Sequence, residues 1–102
     1  MKIDLPEELI AEFCQKWQIA ELAVFGSVLR DDLRPDSDLD VLITPRPGAS
    51  WSAFDLLHMG EELARVALRP VDVVSRRGLE SSRNYLRRRA ILESAQIVYA
   101  AA

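Results

Sequence analysis

The sequence has little of what disulfide-bonded, zinc-binding or membrane-spanning proteins need. Its 102 residues include one cysteine, Cys14, and one histidine, His58. A single cysteine excludes an internal disulfide framework, and His58 has no second histidine or cysteine nearby with which to bind zinc. No apolar run approaches the roughly 18 residues of a membrane helix, and no charged-then-apolar signal segment begins the chain. These absences predict a soluble protein of a reducing compartment, the cytoplasm, with no membrane partner.

The length and the charge distribution narrow the functional classes further. With 49% hydrophobic and 28% charged residues, the composition predicts a single domain over residues 1–102, too small to carry a separate substrate-binding module. The net charge of −3 argues against a general nucleic-acid binder. An arginine cluster near the C-terminus, Arg83, Arg87, Arg88 and Arg89, is interpreted as a solvated helix face, with contact to a nucleotide, an RNA or an acidic partner as the alternative.

Hydrophobic periodicity and turn residues predict an alternation of helices and strands. Ser52 and Asp55 have the spacing of a helix capping box, and Cys14 falls on the apolar stripe of the first helix. The predicted elements are a helix over 5–17, strands over 22–25 and 38–44, a helix over 52–68, a strand over 71–74, a turn at 76–78, a helix over about 80–95 and a last strand over 97–99.

This order predicts a small α/β (α+β) fold, a mixed sheet with helices packed on it. The strand at 38–44, the helix at 52–68 and the strand at 71–74 form a βαβ unit, so these two strands should be parallel. The strand at 22–25 is most simply an antiparallel neighbour of the strand at 38–44. Gly26-Ser27 and three aspartates, Asp38, Asp40 and Asp72, should then converge on one edge of the sheet.

The three aspartates predict a metal site. Residues two apart on a strand share a face, so Asp38 and Asp40 point one way while Leu39 faces the core. Neighbouring carboxylates repel one another unless a cation compensates them, and oxygen ligands suit Mg²⁺ or Mn²⁺. Three acids fit two metal ions that share a nucleotide triphosphate. Gly26 and Ser27 could bind its phosphates, because glycine permits close approach and serine donates a hydrogen bond; an ordinary turn is the alternative.

The residues of this edge carry a resemblance to a known family. Phe25-Gly26-Ser27, followed after ten residues by Asp38-Leu39-Asp40-Val41 and later by Val71-Asp72-Val73, resembles the signature of the DNA polymerase β-like nucleotidyltransferases. The segments GSVLR, PDSDLDVLI and RRAILESAQIVY resemble the minimal nucleotidyltransferases (MNT) of prokaryotes, many of which are antitoxins of HEPN-family toxins. One departure is Asp31, where many relatives have glycine.

The resemblance implies a role for each matching residue. Asp38 and Asp40 would bind two Mg²⁺ ions, Asp72 would bind the catalytic ion, and Gly26 and Ser27 would hold the triphosphate of ATP. Arg30 is a further candidate for nucleotide binding, with capping of the connector as its alternative.

The activity that the resemblance implies is transfer of AMP from ATP to a tyrosine of a HEPN RNase toxin held in a complex. Two alternatives remain open at this point: an antitoxin that neutralises the toxin by binding alone, and nucleotidyl transfer to RNA or a small molecule.

Overall fold

The computed structural model describes residues 5–26 and 38–101. Their elements follow in the order α1 (Glu7–Lys16), β1 (Ile19–Phe25), β2 (Leu39–Pro45), α2 (Ala53–Ala67), β3 (Val71–Ser75), α3 (Arg76–Glu80), α4 (Tyr85–Ser94) and β4 (Gln96–Ala100). The four strands form one mixed sheet in the order β3-β2-β1-β4. The predicted mixed α/β fold is therefore confirmed.

The strand pairings agree with the predicted topology. β1 and β2 are antiparallel, with Phe25 opposite Asp40, and β2 and β3 are parallel, with Asp40 opposite Asp72. At the start of the parallel pair, the backbone N–H of Leu39 donates to the carbonyl of Pro70 over 2.8 Å. This bond aligns the N-terminal ends of β2 and β3.

Each face of the sheet has its own apolar core. Alternate residues of β2 divide between them, because successive side chains of a strand point to opposite faces. The larger core contains Leu39, Val41 and Ile43 together with residues of α1 and α2. The smaller one contains Ala23, Phe25, Leu42, Leu79 of α3 and Ile91 of α4. Helices α3 and α4 therefore cover the face to which Leu42, and by the same alternation Asp40, belongs.

The predicted capping box begins α2. The Ser52 side chain accepts a hydrogen bond from the Asp55 N–H over 3.1 Å, and the Asp55 side chain accepts one from the Ser52 N–H over 2.8 Å. Two N–H groups that have no partner within the helix are satisfied in this way. The interpretation of Cys14 as a core residue is also confirmed, since it is fully buried and burial raises the pKa of its thiol to about 12.

The C-terminal third differs from the prediction. The predicted turn at 76–78 is part of the short helix α3, whose N-cap residue Ser75 accepts a hydrogen bond from the Gly78 N–H over 3.0 Å. The single helix predicted over 80–95 is wrong, because α4 begins only at Tyr85, after a break capped by the Asn84 side chain. Serine and asparagine compete for backbone groups and so favour helix ends over helix interiors.

The first and last strands in chain order are longer than predicted. β1 begins at Ile19, three residues before the predicted start, and β4 covers residues 96–100 beside β1. None of the helices in the described segments has the length and apolar character to cross a membrane.

Candidate functional site

Two of the predicted acids occupy matching positions on neighbouring strands. Asp40 is the second residue of β2 and Asp72 the second residue of β3, and their Cα atoms are register partners in the parallel pair. Residues directly opposite in a sheet have side chains on the same face, about 5 Å apart at Cβ. The βαβ unit thus brings together two carboxylates that lie 32 residues apart in the chain.

Gly26 completes one side of this pair. It directly follows β1, whose last residue Phe25 is opposite Asp40, and its φ is +78°. A Cβ atom at position 26 would overlap the carboxylate oxygen Oδ2 of Asp40. Glycine is needed here for two reasons, since it adopts a positive φ without strain and lets the backbone lie against the carboxylate.

The electrostatics identify Asp40 as the central acid of the group. Burial raises the pKa of the Asp40 carboxyl, and the charges of Asp72 and of Asp38 raise it further. The Arg87 guanidinium on α4 lowers the same pKa. Asp40 is half-buried, whereas Asp38 and Asp72 are exposed. Asp38 and Asp72 therefore each lie within electrostatic reach of Asp40, at the N-terminal ends of β2 and β3.

The remaining predicted site residues, Ser27 and Arg30, lie outside the described residues. The assignment of phosphate binding to Gly26, Ser27 and Arg30 therefore stays a prediction, supported for Gly26 by its place beside Asp40. His58 is exposed on α2 and has no part in the site.

The donor set of the site fits a hard divalent cation. Over residues 5–26 and 38–101, no three histidine, cysteine or acidic side chains are grouped so that they could hold a metal ion by themselves. Mg²⁺ does not require such a group, because it is commonly bound by one or two carboxylates and completes its shell with water and substrate phosphates. The Asp40–Asp72 pair meets that requirement, and the mutual repulsion of the acids is the charge that a cation would compensate. The metal role of Asp38, Asp40 and Asp72 stays a prediction.

Arg87 is the residue of this region that sequence reasoning did not single out. The arginine cluster gave four equivalent candidates, and only the packing of α4 distinguishes them. Ile91 is the buried residue of α4, and Arg87 lies one turn before it on the same helix face. The sequence offered no signal for this choice, because Arg88 stands four residues before Leu92 just as Arg87 stands four residues before Ile91, and only the burial of Ile91 distinguishes the two.

Comparison with known proteins gives one family match and several matches of fold. Residues 6–98 match the family model of a nucleotidyltransferase domain. No curated protein matches the chain. A solved structure described as a minimal nucleotidyltransferase is 31% identical, with 88% of this chain and 86% of that chain covered and a TM-score of 0.66.

Two more distant structures share the fold. A chain of a toxin–antitoxin complex with AMP-PNP is 17% identical, with a TM-score of 0.72 over 95% of this chain and 75% of that chain. A chain of a complex between a tri-AMPylated HEPN toxin of Shewanella oneidensis and its MNT antitoxin is 15% identical, with a TM-score of 0.64 over 93% of this chain and 70% of that chain. The expected nucleotidyltransferase fold is thereby confirmed.

Proposed function

This chain belongs to the nucleotidyltransferase domain family, and we propose that it transfers AMP from ATP to a hydroxyl group of a partner protein. The observation that carries the proposal is the alignment of Asp40 with Asp72 on parallel strands, with Gly26 against the Asp40 carboxylate. Two carboxylates beside a glycine turn can hold a metal-bound triphosphate at close range to the backbone.

The transfer step assigns a separate task to each acid. The acceptor oxygen forms a bond to the α-phosphorus of ATP while the bond from that phosphorus to the bridging oxygen breaks and pyrophosphate leaves. Two bound Mg²⁺ ions, or Mn²⁺ in their place, would lower the pKa of the acceptor hydroxyl and neutralise the leaving group. Asp38 and Asp40 would hold both ions. Asp72 would hold the catalytic ion and accept the proton that the acceptor hydroxyl loses.

The proposed partner is a HEPN-family toxin, with a tyrosine as the acceptor and this chain as the antitoxin. Support comes from the shared fold with the MNT antitoxin complex in which the toxin is tri-AMPylated, and with the toxin–antitoxin complex that contains AMP-PNP. ATP is the proposed donor on the same basis. The site lies at the N-terminal ends of β2 and β3, and two of its acids are exposed. A macromolecular acceptor can therefore reach it.

The test is transfer of label from α-labelled ATP to protein in a lysate of the native host, with Mg²⁺ or with EDTA. The wild type should label one protein band, and it should do so only when Mg²⁺ is present. Asp40→Asn and Asp72→Asn should each reduce this labelling at least about 100-fold. Glu8→Gln on α1 removes an exposed acid far from the site in sequence and should label as the wild type does. Mass spectrometry of the labelled band identifies the acceptor residue.

Other outcomes would identify the alternatives. Label that is sensitive to RNase, or that appears in a low-mass fraction, would contradict protein AMPylation and indicate RNA or a small molecule as the acceptor. If no fraction is labelled while the chain still captures a toxin, and Asp40→Asn neutralises that toxin as well as the wild type does, the chain is an antitoxin that acts by binding alone.

A further inference from the structure

Helix α4 lies over the sheet face that carries the paired acids. Its one buried side chain, Ile91, packs in the smaller core with Phe25 and Leu42. Asp40 is opposite Phe25 and two residues before Leu42, so it shares their face. Arg87 is one turn before Ile91 on the same face of α4, and its guanidinium is near enough to Asp40 to lower the pKa of that carboxyl. The packing of α4 thus places one guanidinium beside the site.

The three arginines of α4 differ in what holds their guanidinium groups. Arg89 donates to the Glu93 carboxylate over 2.8 Å. Arg88 donates to the Glu80 carbonyl over 3.1 Å and lies over the Tyr85 ring, 5.5 Å from its centroid. The Arg87 guanidinium has neither an ion pair nor a hydrogen bond with any side chain in the described part of the chain, and its side chain is exposed. Within residues 5–26 and 38–101, nothing therefore occupies the donor groups of Arg87 that a ligand would use.

The chemistry of the substrate gives a guanidinium at this place a role. A nucleotide triphosphate that approaches three carboxylates meets repulsion between like charges. A guanidinium beside the acids offsets that repulsion, and its planar donor fork matches two oxygens of one phosphate group. An ion pair with Asp40 alone would bring the two groups within 4 Å, which is not the case here.

We propose that Arg87 is a substrate-binding residue that donates hydrogen bonds to a phosphate group of the nucleotide held at Asp40 and Asp72. This inference rests on the proposed function, since it assumes that ATP binds at these acids. It separates Arg87 from Arg88 and Arg89, whose guanidinium groups bind to groups within the C-terminal helices.

The test measures ATP affinity and metal affinity separately. Isothermal titration of the full chain with ATP in Mg²⁺ gives the first, and titration with Mn²⁺ alone, followed by electron paramagnetic resonance, gives the second. Arg87→Gln should weaken ATP binding roughly 10- to 100-fold, the effect of losing a charge-assisted hydrogen bond. Mn²⁺ binding should stay equal or become tighter, because a positive charge near the acids is removed. Arg87→Lys should recover part of the ATP affinity.

Arg89→Gln is the matched control, since it removes the same charge two residues along α4 from a guanidinium paired with Glu93. We expect its ATP affinity to stay within about twofold of the wild type. Equal ATP affinities of Arg87→Gln and Arg89→Gln would overturn the inference and leave the proposed function intact. Tighter Mn²⁺ binding with unchanged ATP affinity would also overturn it and reduce Arg87 to a counter-charge for Asp40. A wild type that binds no ATP and labels no acceptor would contradict both proposals.

Discussion

Two glycines have a positive φ, and comparing substitutions at them distinguishes the effect of backbone strain from the effect of crowding at the site. Gly26 has a φ of +78° and lies against Asp40, whereas Gly48 has a φ of +87° and has open space where a Cβ would be. Alanine at either position should cost about 1–2 kcal/mol of unfolding free energy through strain alone. Only at position 26 does the added methyl group also overlap a carboxylate.

We therefore expect Gly26→Ala to lower the free energy of unfolding by about 1–3 kcal/mol in total. This loss should be larger than the one that Gly48→Ala causes. Gly26→Ala should also reduce nucleotidyl transfer about 100-fold, because Asp40 must shift to admit the methyl group. Urea denaturation and the labelling assay measure the two effects. Equal losses of stability in both variants, with transfer retained in Gly26→Ala, would mean that the contact between Gly26 and Asp40 has no catalytic importance.

At this same scale, the sequence predicted the acids better than their neighbours. Asp40 and Asp72 could be paired because strand alternation and a βαβ unit fix which residues share a face and an end of the sheet. Arg87 could not be distinguished from Arg88 and Arg89, because its position depends on how one turn of a mostly exposed helix packs. Charge and spacing give no preference among adjacent arginines until that packing is known.

Helix α2 ends in an unfavourable conformation that a single change should relieve. Its C-cap residue Leu68 has a φ of +59° and a side chain that is 86% exposed. The left-handed conformation costs a residue with a Cβ about 1–2 kcal/mol, and glycine avoids this cost. The greater flexibility of glycine in the unfolded chain returns part of the gain.

We expect Leu68→Gly to raise the free energy of unfolding by about 0.5–1 kcal/mol. The control is Leu57→Gly, which changes another exposed leucine of α2 in the helix interior and should lower stability by about 1 kcal/mol. Chemical denaturation of the three proteins gives both values. A loss of stability in Leu68→Gly comparable to that in Leu57→Gly would show that the Leu68 side chain contributes packing that its exposure does not reveal.

Elements with strong local signals were predicted well, and those that depend on distant contacts were not. The capping box of Ser52 and Asp55 marks the start of α2 in any context. Helix α3 has five residues, one of them Gly78, and forms because Leu79 packs in the smaller core and Ser75 caps it. Strand β4 completes the sheet by pairing with β1, a contact between residues more than 70 positions apart in the chain. Neither event has a signature within a short window of sequence.

For the whole molecule, we expect the ionised Asp40 carboxylate to lower stability when no metal is present. In EDTA, at a pH between the ordinary pKa of an aspartate and the raised pKa of Asp40, the folded chain keeps a proton that the unfolded chain has released. Stability therefore falls as the pH rises from the ordinary pKa of an aspartate through the raised one, and is recovered as the pH falls. Asp40→Asn removes this cost. We expect the free energy of unfolding of the variant to exceed that of the wild type at pH 7 by up to about 1 kcal/mol. The difference is small because partial exposure screens the charges, and it should vanish near pH 4.

Addition of Mg²⁺ at pH 7 should make the wild type more stable than Asp40→Asn, the reverse of the order in EDTA. An ion that binds only the folded chain stabilises it by about 2.7 kcal/mol at 100 times its Kd, and Asp40→Asn removes one of the carboxylates that would hold it. Urea denaturation of both proteins with EDTA and with Mg²⁺ measures the reversal. Equal stabilisation of wild type and variant would place the ion elsewhere. A variant less stable than the wild type in EDTA would mean that the Asp40 carboxylate stabilises the metal-free fold, so that the repulsion among these acids is not what a cation relieves.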